Sequence, residues 1–192
     1  MIRPRSPIAV KLPPPPRGLP RRLRGWYLLA AAVVSAAATL LAPVCPLQDA
    51  AGRPVWRVQT VHDGDTVTCL DEKGAPQKIR LLGIDAPEYD QPAGPAARTA
   101  LAAKAGAAVR VEDRGRDQHG RLLGTLWDGE RNLNLEMVAE GWAWSFGGFS
   151  EDDDFAAAEA AARRARRGLW AGPQPVSPSQ WRAEHPPHRD RR

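Results

Sequence analysis

Arg80-Leu81-Leu82-Gly83-Ile84-Asp85-Ala86-Pro87-Glu88 is the stretch that decides how this chain reads. Its apolar run has strand character, Pro87 stops the strand, and Asp85 and Glu88 are left at its end. Upstream, residues 55–61 and 66–70 alternate apolar and polar side chains around His62-Asp63-Gly64-Asp65, which predicts a hairpin. Asp71-Glu72-Lys73-Gly74 makes the next turn, and residues 77–84 the third strand. Downstream, Ala-rich residues 95–105 predict a helix and residues 109–112 and 122–127 two further strands. Residues 133–140 have helical spacing, and residues 150–167 predict a long helix with Ser150 as its N-cap. Three strands, a helix, two strands and two helices is the order of a five-stranded OB-type barrel with about three helices, an α+β, mainly β architecture.

The charged residues fall at the ends of these elements. Asp63-Gly64-Asp65-Thr66 joins the first two strands, and Asp117-Gln118-His119-Gly120-Arg121 leads into the fifth. Each motif alone has an ordinary reading. Asp-Gly-Asp is most often a turn, and Asp-x-x-Gly-Arg a hairpin turn. Arg80 can pair with Asp85 or Glu88 simply to satisfy charge, Glu88 can cap a loop, and Arg121 alone reads as a surface residue. Together they place three carboxylates, Asp65, Asp85 and Glu88, and two guanidiniums, Arg80 and Arg121, at the ends of short apolar runs. Carboxylates that hold a hard cation, beside forked guanidinium donors, are what phosphodiester cleavage needs.

In this order the three motifs resemble those of the staphylococcal nuclease (thermonuclease) family, over about residues 55–170. The resemblance implies Ca2+ held by Asp65, Asp85 and the backbone carbonyl of Ala86, with Asp63 and Thr66 supporting the turn. It implies Arg80 and Arg121 as forked donors to the scissile phosphate and Glu88 as general base or water-orienting group. The implied reaction is sugar-nonspecific hydrolysis of DNA or RNA to 3′-phosphate ends. Asp117, Gln118 and His119 would lie at the substrate. The family commonly has a basic residue and a tyrosine where this chain has Gln118-His119, a change that bears on affinity and base preference.

Charge is unevenly spread over the 192 residues. Residues 1–25 carry seven Lys/Arg and no acid, whereas residues 51–172 carry sixteen bases and nineteen acids. The net charge of +5 therefore comes from the ends, and phosphate recognition must be local rather than a broad basic face. Residues 1–25, with an unbroken proline run from Pro13 to Pro16, read as a disordered leader. Residues 26–45 read as an apolar helix, its uncharged stretch 26–44 following Arg21-Arg22-Leu23-Arg24. That pattern fits a membrane anchor, a secretory signal or, less well, a buried Ala-rich helix. An anchor or signal of this polarity predicts a nuclease domain on the extracytoplasmic side, tethered or secreted. Residues 46–53 read as a linker, 54–171 as the folded domain and 172–192 as a disordered tail rich in proline and charge. Cys45 and Cys69 allow one disulfide, although Cys69 in a strand reads better as a small buried hydrophobe. Trp142, Trp144, Phe146 and Phe149 read as core and lid packing, one ring of which could stack on a base.

Two other classes compete with an active nuclease. One is a non-catalytic OB-fold module that binds nucleic acid or a protein. The other is a structural protein of the envelope. A module that has lost activity should lack a metal carboxylate or an arginine, and none is missing here. The slightly acidic domain also lacks the basic groove that a pure binder needs.

Overall fold

The computed structural model describes residues 20, 47–147, 152–172 and 174–186. The chain divides into two units, Met1–Cys45 and Pro46–Arg192, and every element below belongs to the second. The leader, the apolar segment 26–44, Cys45 and Ser150 lie outside the described residues. Among the described residues no helix is long and apolar enough to cross a membrane.

Five strands close into a barrel: β1 Trp56–Val61, β2 Thr66–Leu70, β3 Pro76–Leu81, β5 Ala108–Arg116 and β6 Leu122–Asp128. They are ordered β3-β2-β1-β5-β6, and a parallel pairing of β6 with β3 completes the circuit. Period-two alternation puts Val67 and Cys69 of β2, Ile79 and Leu81 of β3, Val109 of β5, and Leu122 and Leu126 of β6 inside. Closure leaves β2, β3 and β5 no free edge within the barrel.

The third strand departs from its expected length. It ends at Leu81, Gly83 turns the chain at φ +77°, and Ile84–Asp85 starts again as β4. The left-handed conformation that glycine tolerates is what splits the run. β4 pairs with Trp144–Ser145 (β8), and Arg131–Asn132 (β7) extends the sheet beyond β6.

Four helices surround the barrel, one more than expected. Helix α1 (Gly94–Ala105) opens on Pro95 and buries Ala97, Leu101 and Ala105, four residues apart on one face. Helix α2 (Leu133–Ala139) is capped by the Asn132 side chain, which accepts from the Leu135 N–H at 3.1 Å. Buried Asn134 of α2 pins the barrel seam. Its Oδ1 accepts from Leu126 N–H at 3.1 Å and its Nδ2 donates to the carbonyls of Leu82 (2.9 Å) and Gly124 (3.1 Å). Helix α3 (Asp152–Arg164) buries Phe155, whose ring packs at Gly83. A 3-10 turn, Gly168–Ala171, buries Trp170 edge-on against Trp144 at 5.2 Å between ring centres.

Both flanks carry local structure, and in the tail it differs from the expectation. Residues 47–55, expected in part as a linker, form a closed turn in which Val55 N–H donates to the Leu47 carbonyl at 2.9 Å. Within the expected disordered tail, Pro178–Glu184 is helix α4. The Ser177 hydroxyl accepts from the Gln180 N–H at 3.2 Å and Pro178 occupies the first turn, a start signal that overrides the unfavourable composition. Cys69 is buried and free, as its strand position suggested, and burial pushes its thiol up to about 12.

Candidate active site

Register assembles the site. In the β2–β3 ladder Thr66 faces Arg80, so Asp65, one residue before, lies beside the guanidinium. In the parallel β3–β6 ladder Arg80 faces Leu123, which brings the turn holding Arg121 to the same barrel end. β4 carries Asp85 there directly. The result is a pocket of about 300 Å3 lined by Asp63, Asp65, Thr66, Arg80, Asp85, Ala86, Glu88, His119, Arg121 and Arg182.

Arg80 lies between two nearly buried carboxylates. Its Nη1 is 3.1 Å from Asp65 Oδ2 and its Nη2 donates to Asp85 Oδ1 at 2.9 Å. The same Nη1 donates to the carbonyls of Ile84 (2.8 Å) and Leu81 (3.1 Å), which locks the fork in place. The alternative of a charge pair with Asp85 is therefore real, and it coexists with a position in the pocket. Asp65 accepts from the Ala86 N–H at 2.6 Å and from the Thr66 hydroxyl at 2.9 Å. Asp63 accepts from the Asp65 N–H at 2.9 Å, a bond within the turn. Burial pushes the Asp65 carboxyl up to about 7, opposed chiefly by Arg80 and reinforced by the neighbouring charges of Asp63 and Asp85.

Two glycines set the backbone here. A Cβ on Gly64 would lie 2.7 Å from the Ala86 Cβ and 2.8 Å from the Ala97 Cβ. A Cβ on Gly94 would collide with the Glu88 carbonyl. Neither position has room for a side chain.

Arg121 is aimed by its own turn. Asp117 Oδ2 accepts from its Nε at 2.7 Å, and Asp117 Oδ1 accepts from the backbone N–H of His119 and Arg121, both at 2.9 Å. Asp117 is thus occupied in holding the turn. His119 lines the carboxylate pocket and Gln118 lines an adjoining groove with Leu123 and Phe146. Phe146, expected among the lid aromatics, is 55 % exposed there.

Three residues were not foreseen. Arg182 of α4 donates from Nη2 to Asp85 Oδ2 at 3.0 Å and from Nη1 to Glu88 Oε1 at 2.7 Å. Gln91 is buried, accepts from the Glu88 N–H at 3.1 Å and donates to the Val176 carbonyl at 2.7 Å. Asn134 is the third, through the seam it pins. The Ser177-Pro178 start signal could have revealed α4, but no local signal marks where Arg182 points.

A hard cation fits the donor set. Among the described residues no group of three or more His, Cys, Asp or Glu side chains could hold a metal by itself. A cation here would draw on Asp65 and Asp85, already converging on one guanidinium, and on backbone oxygen and water. Calcium tolerates such a mixed oxygen shell.

Comparison with known proteins identifies relatives of this chain. The chain is 38% identical over 129 residues to an uncharacterized endonuclease of Haemophilus influenzae, covering 67% of this chain and 72% of that protein. It is 34% identical over 167 residues to a micrococcal nuclease of Shigella flexneri, covering 81% and 93%. A probable staphylococcal-like nuclease of Oryza sativa subsp. japonica is 36% identical over 121 residues, 62% of this chain and 33% of that protein. Residues 78–172 match the family described as Staphylococcal nuclease homologue. With this barrel, this site and these relatives, the chain belongs to the staphylococcal nuclease family.

Proposed function

We propose that this protein is a calcium-dependent, sugar-nonspecific endonuclease that hydrolyses phosphodiester bonds of DNA or RNA and leaves 3′-phosphate ends. The observation that carries the reading is the joining of Asp65 and Asp85 by Arg80 in one pocket that also holds Glu88 and Arg121. Bound at Asp65, Asp85 and the Ala86 carbonyl, a calcium ion would supply positive charge to a non-bridging phosphate oxygen.

The remaining work falls to side chains. Glu88 takes a proton from the attacking water as its oxygen bonds to phosphorus. Arg80 and Arg121 donate to the equatorial oxygens, and their bonds strengthen as charge builds in the five-coordinate transition state. The bond from phosphorus to the 5′ oxygen breaks, that oxygen takes a proton from solvent water, and the phosphate stays on the 3′ side. Thr66 and Asp63 keep Asp65 in place through the bonds described above.

The apolar segment 26–44 and its basic flank support a domain tethered to, or released beyond, the outer face of a membrane. Calcium is plentiful there and the cell's own genome is out of reach. Protease applied to intact cells should digest or find released the nuclease domain; a fully protected domain would refute this placement.

The test of activity is cleavage of single- and double-stranded DNA and of RNA by the full chain in detergent, with millimolar calcium or chelator. Cleavage that requires calcium and collapses in Glu88→Ser and Arg121→Ala supports the reading. Tight binding without cleavage, unchanged by chelator, would replace it with the non-catalytic binding module.

A further inference from the structure

The segment from Gln174 to Pro186 lies beyond the matched family region, yet it reaches the centre of the site. It is held at two points. The Val176 carbonyl accepts from buried Gln91, whose other end holds the Glu88 backbone. The Arg182 guanidinium then covers Asp85, donating to both carboxylate oxygens: Nη2 to Oδ2 at 3.0 Å and Nη1 to Oδ1 at 3.3 Å.

Asp85 is one of the two carboxylates on which the calcium reading rests, and it lines the pocket beside Asp65. Arg80 already donates to its Oδ1 and Arg182 to both of its oxygens. A guanidinium in this position supplies the positive charge that a cation would otherwise bring. Arg182 is also half-exposed, on a seven-residue helix, with Glu88 as its second partner. Such a group can leave without unfolding the barrel, whereas Arg80, fastened to two carbonyls, is built in.

We propose that Arg182 is the residue that sets this site's affinity for its cation: the guanidinium and a divalent ion compete for Asp85, so loading the ion loosens the C-terminal arm. The inference rests on the calcium reading above. By linkage, whatever factor the docked arm takes from cation affinity, the cation takes from docking of the arm. The arm then works as an internal cation on a tether, holding the empty acidic pocket together and yielding to calcium at high concentration.

Titration calorimetry of calcium into the full chain in detergent tests this, comparing the wild type with Arg182→Gln and Arg182→Lys. Arg182→Gln should bind calcium about tenfold more tightly than the wild type, with Arg182→Lys in between because an ammonium cannot fork across the carboxylate. Hydrogen–deuterium exchange in residues 176–185 of the wild type should rise when calcium is added. This readout needs no variant and no activity. Equal or weaker binding in Arg182→Gln, or an arm whose exchange calcium leaves unchanged, would overturn the competition and leave Arg182 as a support for Glu88. Absence of calcium binding in all three proteins would overturn the cation reading itself, and the arm's role with it.

Discussion

The chain contains the same local device twice. Asp49-Ala50-Ala51-Gly52-Arg53 and Asp117-Gln118-His119-Gly120-Arg121 share the pattern Asp-x-x-Gly-Arg, and they fold alike. In both, aspartate Oδ1 accepts from the arginine N–H at 2.9 Å and Oδ2 accepts from the arginine Nε at 2.7 Å. The glycines adopt φ +77° and +76°. The difference is where each turn is mounted. Arg53 reaches Glu130 at 2.9 Å and the Gly129 carbonyl at 3.1 Å, whereas Arg121 faces the carboxylate pocket. The motif makes a turn that aims a guanidinium, and the place where the turn is mounted decides what it aims at.

The strongest challenge to that comparison is to remove both arginines separately. Arg121→Ala should lower kcat by about a hundred- to a thousandfold, the usual loss of a preorganised transition-state donor. Arg53→Ala should leave kcat within about twofold and lower Tm by about 1–3 °C, because a surface ion pair is worth under about 1 kcal/mol. A large activity loss in Arg53→Ala would break the distinction. Next come the glycines, where alanine meets no neighbour within 4 Å but is strained by positive φ. Gly52→Ala and Gly120→Ala should each destabilise by about 1 kcal/mol in denaturant melts, and only Gly120→Ala should reduce cleavage, by about tenfold.

The two aspartates sharpen the comparison through pH. The backbone N–H of Arg53 is the main influence holding Asp49 below the usual carboxylate range. At Asp117 burial pushes upward, but the hydrogen bonds from Arg121 and His119 outweigh it and the carboxyl also ends lower than usual. A depressed folded value means stability that is present above the unfolded value near 3.9 and lost as pH falls through the folded one. Asp49→Asn and Asp117→Asn should therefore both lose stability at neutral pH and flatten the acid limb of the Tm–pH curve. An unchanged acid limb in either would show that its bonds add nothing to stability. The smallest effect falls on the equivalent third positions: His119→Ala should raise KM a few-fold with kcat unchanged, while Ala51→His should alter neither.

How far the sequence anticipated the molecule follows the same division between local and distant causes. The barrel strands were legible because alternation is local and half of each strand faces the core, as Val67, Cys69, Ile79 and Leu81 do. The motifs of Asp65, Arg80, Asp85, Glu88 and Arg121 could be picked out at strand ends and turns, and the structure brings these residues into one pocket; the roles expected of them came from the resemblance of the three motifs taken together. The break at Gly83 was not legible, since Leu-Leu-Gly-Ile reads as one apolar run until φ is known. Arg182 was invisible for a different reason. Its partners lie 94 and 97 residues away, and only a folded arm brings them together. Gln91 and Asn134 are ordinary polar residues by sequence, and their importance comes from backbone groups contributed by distant segments.

The parallel seam between β3 and β6 has a consequence for how activity is born. It joins Arg80 to the neighbourhood of Arg121 across the intervening β4, α1 and β5. Such nonlocal pairing is the slow part of β-rich folding, because the loop must close before any contact rewards it. A nascent or still-refolding chain can form the Asp65–Arg80 hairpin early and yet lack its second arginine. Cleavage should then appear with the final closing step, in one phase with the native signal, so that an incomplete nuclease in transit is an inert one.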